Sequence, residues 1–209
     1  MRFLITAGPT REYLDPVRFI SNSSSGRMGL AIARAALSRG HQVTLVVGPI
    51  QARLPKAARI IHVQTAGQMA EACFKYFPRI DCLVMAAAAC DYQPVKRQEQ
   101  KIKKRPTRTT LQLKPTTDIL SELGRRKKRQ LLIGFALETD RPRANALAKL
   151  KQKTLDYIVV NSPTSLSSQQ IDATILSAAG QTLSTGSISK LTLARRLVAL
   201  AESHFACSH

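Results

Sequence analysis

The chain has no tryptophan, only 5% aromatic residues, and thirteen acidic side chains against thirty-two Lys and Arg. Each shortage removes a class of function. Proteins that hold single-stranded nucleic acid interleave stacking aromatics with a basic groove, and few aromatics are available here; no helix-turn-helix, zinc-finger or RNP pattern is visible either. The four cysteines, Cys73, Cys82, Cys90 and Cys207, show no C-x-x-C or Cys/His spacing. No metal-ligating residues are therefore expected, and scattered reduced thiols fit a cytoplasmic protein. No apolar run reaches the ~18 residues of a membrane span. Met1-Arg2 leads straight into an apolar strand, so no signal region is expected.

What is present is positive charge and enough apolar residue to fold. The formal charge of +19 attracts polyanions, from nucleotides and phosphorylated metabolites to nucleic acid. The basic residues are spread over Lys96–Arg108, Arg125–Arg129 and Lys149–Lys153, so the charge alone fits solubility as well as any ligand. At 209 residues with 44% apolar content, one α/β domain with a sizeable core is expected over residues 1–209.

Apolar runs of strand length alternate with helical segments. Phe3–Ala7, His41–Val47, Ile60–Val63, Cys82–Ala86, Leu131–Ala136 and Tyr157–Val160 read as buried strands; Leu30–Arg39, Ala66–Phe77 and Arg141–Lys153 read as helices. Near-continuous β-branched runs between helices predict a three-layer, Rossmann-like, mostly parallel sheet with helices on both faces. Ligands of such sheets sit beyond the carboxyl ends of the strands. Two parts break the rhythm. The stretch from Tyr92 to Leu113 is polar, basic and helix-poor, and reads as a flexible arm or lid with a strand at Leu111–Leu113. The stretch from Asp172 to Ser187 reads as a C-terminal hairpin turning at Gly180-Gln181, followed by a helix from about Lys190 to His204.

The most informative segment is Ile20-Ser21-Asn22-Ser23-Ser24-Ser25-Gly26-Arg27-Met28-Gly29, a hydroxyl- and glycine-rich loop that opens a helix after the first strand. Backbone N–H groups at a helix start have no intrahelical partner, so such a loop is a ready anion site. Its Gly26-x-x-Gly29 pair is not the dinucleotide fingerprint, and the ~18 residues between strand and helix exceed an ordinary βα turn. Around it, Arg11 either reaches a phosphate or belongs to a plain loop. Asn22 either holds an acyl group or braces a turn, and Asp91 either meets a ligand or caps the next segment. Lys101 lies in the basic arm, while Lys149 and Lys153 share one helix face; either set is a solvated surface or a polyphosphate contact.

Taken together and in order, these segments resemble the phosphopantothenate–cysteine ligase family, from Phe3 to about Asn161. The resemblance rests on Ile5-Thr6-Ala7-Gly8-Pro9-Thr10-Arg11-Glu12, Asp15-Pro16-Val17-Arg18-Phe19-Ile20-Ser21-Asn22, Ser24-Ser25-Gly26-Arg27-Met28-Gly29, Ala86-Ala87-Ala88-Ala89-Cys90-Asp91-Tyr92, Lys101-Ile102-Lys103-Lys104, Asp118-Ile119-Leu120 and Gly134-Phe135-Ala136-Leu137-Glu138-Thr139. It implies that 4′-phosphopantothenate is activated by a nucleoside triphosphate, CTP rather than ATP in most bacteria. Cysteine then displaces the nucleotide to give phosphopantothenoylcysteine in coenzyme A biosynthesis. Mg²⁺ would accompany the triphosphate, with no flavin. By position, Asn22 and Lys101 would be catalytic. Ala87, Ala88, Asp91, Lys101, Asp118, Ile119, Leu120, Phe135, Lys149 and Lys153 would take the nucleotide; Arg18, Asn22, Ser24, Ser25 and Gly26 would take the phosphopantothenate. A homodimer is implied, with the arm reaching toward the neighbouring subunit, and a separate decarboxylase protein is expected. The chain departs from the family pattern in having Gly8-Pro9 where a double glycine is usual, and Thr116-Thr117 where Asn-Pro is common. The rival readings are an NAD(P)-dependent oxidoreductase on a similar sheet and a nucleic-acid-binding protein prompted by the charge.

Overall fold

Alternation within the first apolar run decides the layers. Successive side chains of a strand point to opposite faces. In the computed structural model, which describes residues 1–104, 106–137, 141–161, 170–184 and 186–206, the first strand sends Phe3, Ile5 and Ala7 into one core cluster and Leu4 into another. Each fully buried Leu or Ile in these clusters contributes about 1.5–3 kcal/mol.

The first half of the chain holds β1 (Arg2–Ala7), β2 (Arg11–Tyr13), β3 (Phe19–Ser21), α1 (Arg27–Ser38), β4 (Gln42–Val47), β5 (Arg59–His62), α2 (Ala66–Tyr76), β6 (Cys82–Met85) and β7 (Tyr92–Pro94). The second half holds β8 (Leu113–Pro115), α3 (Ile119–Arg126), β9 (Leu131–Leu137), α4 (Pro142–Gln152), β10 (Tyr157–Asn161), β11 (Gln170–Ser177), β12 (Thr182–Ser184), β13 (Ser187–Ser189) and α5 (Lys190–Ala206). The main sheet runs β12-β11-β10-β9-β6-β1-β4-β5, with β13 also paired to β11. The pairings from β5 through β10 are parallel, and β11 turns antiparallel onto β10. Helices α1 and α5 cover one face, through Leu30, Ile32, Leu193 and Leu197. Helices α2, α3 and α4 cover the other, through Met69, Leu123 and Leu150. The expected three-layer, mostly parallel architecture is therefore present. Among the described residues no helix is long and apolar enough to cross a membrane.

The chain goes from β1 to β4 on one side and later returns through β6 on the other. The order thus switches beside β1, which opens a crevice at the carboxyl ends of β1 and β6. Gly29 draws α1 close over that crevice. A Cβ there would lie 2.6 Å from both the Ala7 Cβ and the Thr6 carbonyl oxygen, so no larger residue allows this approach.

Three local readings change. The long β1–α1 connection contains a small hairpin, β2–β3, pairing Arg11 with Ser21 and Tyr13 with Phe19; three-residue strands are too short to leave a periodic signal. The arm's strand lies at Leu113–Pro115 rather than Leu111–Leu113, because its partner β7 sets the register, Tyr92 opposite Pro115 and Pro94 opposite Leu113. Helix α3 arises where only a pocket wall was read. Asp118 caps it by accepting from the Ser121 N–H at 3.0 Å, and it buries Ile119, Leu120 and Leu123. The three cysteines within the described residues, Cys73, Cys82 and Cys90, are unpaired thiols and buried; burial pushes Cys73 up to about 12. Glu138, Thr139 and Cys207 lie outside the described residues.

Candidate functional site: a cationic cavity at the strand switch point

The wall of the crevice is built by stitching the alanine run to the loop after β1. The Ala87 N–H donates to Thr6 Oγ1 at 3.0 Å, the Ala88 N–H to the Gly8 carbonyl at 2.9 Å, and the Cys90 N–H to Thr10 Oγ1 at 2.9 Å. In return the Thr10 N–H donates to the Ala88 carbonyl at 3.3 Å. Thr6 and Thr10 are fully buried, so these hydroxyls do a backbone's work where no strand continues. Ala87 and Ala88 therefore offer a close, methyl-covered wall, their N–H groups already engaged.

Across from it runs the serine loop. Asn22 Nδ2 donates to the Ala88 and Ala89 carbonyls at 3.2 and 3.0 Å, tying the loop to the wall through its nitrogen alone. The bracing reading of Asn22 is thus met by its nitrogen, and its Oδ1 takes no part in those two bonds. Gly26, with φ of 71°, starts α1 without any side-chain cap and with no acidic residue in the first turn. That left-handed conformation favours glycine, and the bare helix start leaves N–H groups and the positive end of the dipole directed at the cavity.

The enclosed space measures about 640 Å³, within the range of a small-ligand site. Asn22, Ser24, Ser25 and Gly26 line it with Ala87, Ala88 and Asp91, and Asp118, Ile119, Leu120, Phe135, Lys149 and Lys153 complete the far side. The structure so gathers in one cavity residues spread over more than 130 positions of sequence. Lys153 is held by Asp118, with Nζ 2.8 Å from Oδ2 and 3.1 Å from Oδ1. Partial burial pushes the Asp118 carboxyl up, but Lys153, the Ser121 N–H and Arg125 outweigh it and hold it below its ordinary value.

Two expected residues stand elsewhere. Arg18 does not line the cavity: its Nε and Nη2 lie 2.9 and 2.6 Å from Asp15 Oδ2, and Nη2 also bonds the Ile102 carbonyl. A buried carboxylate holds it, outside the cavity lining. Lys101 is exposed on the arm and also outside the cavity lining. Conversely, Arg27 and Lys190 line the cavity without having been singled out. Burial and the neighbouring Arg27 both lower the Lys190 ammonium. Lys190 opens α5, far from the motif segments, and no local pattern marks it. The Thr116-Thr117 pair also contributes to the wall, Thr116 Oγ1 donating to the Cys90 carbonyl at 2.6 Å and its N–H to the Asp91 carbonyl at 2.9 Å.

Four basic side chains and two acidic ones thus surround the space. Among the described residues no group of three or more His, Cys, Asp or Glu is placed to hold a metal ion. A magnesium ion that bridges phosphates needs only one or two carboxylates from the protein. Asp118 is committed to Lys153, which leaves Asp91 as the cavity carboxylate suited to such a role.

A mostly parallel sheet carrying a cation-lined cavity at its strand switch point defines a three-layer α/β domain with a site of a charge suited to anions. The DNA/pantothenate metabolism flavoprotein C-terminal domain family matches residues 1–204, and the chain belongs to that family. The chain is 46% identical over 159 residues to the coenzyme A biosynthesis bifunctional protein CoaBC of Bacillus subtilis, covering 76% of this chain and 39% of that protein. It is 50% identical over 163 residues to a cysteine/cysteine sulfinic acid decarboxylase of an unknown prokaryote, covering 77% of this chain and 45% of that protein. The chain thus spans less than half the length of these curated relatives. A crystal structure of the C-terminal domain of CoaBC superposes with a TM-score of 0.83 at 34% identity, covering 98% of this chain and 97% of that one. These matches bear out the family resemblance carried by the motifs.

Proposed function

We propose that this chain joins 4′-phosphopantothenate to cysteine as a single ligase domain, using CTP and Mg²⁺. The observation that carries the reading is the convergence of the serine loop, the alanine wall and Lys149–Lys153 on one cation-rich cavity. In the first step a carboxylate oxygen of the acid attacks the α-phosphorus; an O–P bond forms, the α–β bridge breaks, and pyrophosphate leaves. In the second, the cysteine amine attacks the acyl carbon; a C–N bond forms, the C–O bond to the nucleotide breaks, and CMP leaves with the amine proton lost to solvent. Neither step needs a strong general base from the protein, because a carboxylate and an amine are already nucleophiles. What the protein must supply is charge compensation and alignment of anions that repel each other.

The residues divide accordingly. Lys149 and Lys153 face the triphosphate, and Asp118, Ile119, Leu120 and Phe135 shape the pocket for the base and ribose. The smallness of Ala87 and Ala88 lets the reacting phosphorus approach the wall. Ser24, Ser25 and Gly26, at the bare start of α1, receive an anionic group of the acid, and Asn22 Oδ1 faces the acyl group or the incoming amine. Asp91 would be the protein residue to hold a magnesium ion, which when bound would offset the charge of the triphosphate. Lys101 offsets charge on phosphorus once the arm is in place, in a homodimer whose arms lie near the neighbouring site.

The test is product formation with 4′-phosphopantothenate, cysteine and Mg²⁺, comparing CTP with ATP. Pyrophosphate and CMP release that requires both the acid and cysteine supports the reading; no turnover with either nucleotide from folded protein overturns it.

A further inference from the structure

We infer that the turn of the β2–β3 hairpin is a socket for the basic arm: Asp15 and Arg18 grip the Ile102 peptide from both sides and so fix where Lys101 stands. Arg18 is on this account a positioning residue for Lys101, not a ligand of the acid. The catalytic consequence rests on the ligase reading; the grip itself does not.

The geometry is specific. Asp15 is fully buried, yet carries a charge. Its Oδ1 accepts from the Val17 and Arg18 N–H groups at 2.8 Å each, which closes the hairpin turn. Its Oδ2 accepts from Arg18 Nε and Nη2 and, at 3.1 Å, from the N–H of Ile102, eighty-seven residues further on. The same Arg18 Nη2 that binds Asp15 also donates to the Ile102 carbonyl. Both backbone polar groups of one arm residue, Ile102, are thus satisfied by one ion pair on the hairpin. Buried charges persist when they are paired and hydrogen-bonded, and here the arm supplies part of what Asp15 needs.

Two further ties make the hairpin a cradle rather than a single contact. The Gln98 N–H donates to the Leu14 carbonyl at 2.8 Å, and the Arg97 guanidinium lies 5.2 Å from the centre of the Tyr13 ring. Tyr13 is in turn set edge-on against Phe19, its partner across the hairpin, and Arg11 stacks over Phe19 at 4.4 Å. The described residues between Val95 and Gln112 contain neither helix nor strand. Backbone ladders therefore do not position them, and the hairpin does so instead. Lys101, the residue preceding Ile102, inherits its place from the grip, as do Lys103 and Lys104 beyond it.

The test compares Asp15→Asn, Arg18→Gln and Arg18→Lys with Lys101→Ala, reading arm protection and kinetics separately. Amide exchange at Ile102 and trypsin cleavage within Lys101–Lys104 should rise about tenfold in Asp15→Asn and Arg18→Gln, because a local contact that limits opening is lost. Arg18→Lys should recover part of the protection. In turnover, both variants should lower kcat by about ten- to a hundredfold, the scale of a small misplacement of a catalytic group, with KM for the acid within about twofold. Combined with Lys101→Ala, they should add nothing further. The idea is overturned if Arg18→Gln raises KM for the acid with arm protection unchanged, or if Asp15→Asn is silent in both readouts. Should an exchange-competent fold survive only in Arg18→Lys, its exchange at Ile102 decides the matter. If the unaltered protein shows no turnover at all, the ligase reading fails, while exchange at Ile102 still tests the grip.

Discussion

The two edges of the central sheet treat charge in opposite ways. At the amino edge the acids are matched by partners of the fold itself. Asp81 takes the Arg2 N–H at 2.8 Å and its guanidinium at 2.7 Å, while Asp156 takes Lys127 Nζ at 2.6 and 2.7 Å and the Leu132 N–H at 2.8 Å. Glu202 similarly joins Arg39 and His41. At the carboxyl edge Arg27, Lys149, Lys153 and Lys190 face a cavity with two aspartates, and the start of α1 carries no acid at all. One edge spends its charges on partners within the fold, and the other gathers more basic than acidic side chains around a cavity. Stability and function are thereby separable by position, although the same residue types serve both.

Mutations should respect that division. The largest expected effect is that of Lys101→Ala, which should cut product formation by at least about 100-fold, the scale seen when one group stabilising a transition state is removed; circular dichroism and Tm should stay unchanged. Next, the Lys149→Ala, Lys153→Ala double variant should raise KM for the nucleotide by roughly tenfold or more and flatten its salt dependence, read by initial rates across ionic strength. On the opposite edge, Asp156→Ala strands Lys127 and the Leu132 N–H. It should cost about 2 kcal/mol and lower Tm by roughly 4–8 °C, while KM for both substrates stays as it was. A rise in KM there would blur the contrast between the edges. The smallest effect is that of Asp118→Asn, which keeps an acceptor for the Ser121 N–H but removes the charge held against Lys153. The Asp118 carboxyl titrates below its ordinary value, chiefly because Lys153 and Ser121 overcome its partial burial. Its contribution is therefore complete above the ordinary carboxylate range and disappears as pH falls through the depressed value. The stability difference from the unaltered protein should be constant from pH 8 to 5, below about 1 kcal/mol for so exposed a pair, and should close in acid.

The sheet was legible because its signal is local. Runs such as Phe3-Leu4-Ile5 and Leu131-Leu132-Ile133 must be buried on both faces wherever they pack. The cavity was legible in part for a different reason: the ordered motifs name residues whose spatial meeting no single segment reveals. What escaped depends on distance. Three-residue strands β2 and β3 exist because Arg11 donates to the Gln64 carbonyl and Glu12 accepts from the Ala66 N–H at 2.7 Å, contacts some fifty residues away. Lys190 reaches the cavity only because α5 packs beside α1. The setting of Arg18 escaped for the same reason: Asp15 is only three residues away, but its burial and the Ile102 carbonyl that Arg18 also bonds depend on the fold.

The β2–β3 excursion also says something about modularity. It leaves the main path at Thr10 and returns at Ser21, whose hydroxyl donates to the Thr10 carbonyl at 2.7 Å, with Arg11 and Ser21 facing each other across the ladder. The exit and re-entry points are thus about one strand spacing apart, ~5 Å, and β1 and α1 belong to the sheet independently of what lies between. A detour closed so tightly adds little to the entropic cost of joining β1 to α1. The hairpin is thus a small local excursion that gathers two distant segments beside β1, the start of α2 through Glu12 and the arm through Asp15 and Arg18.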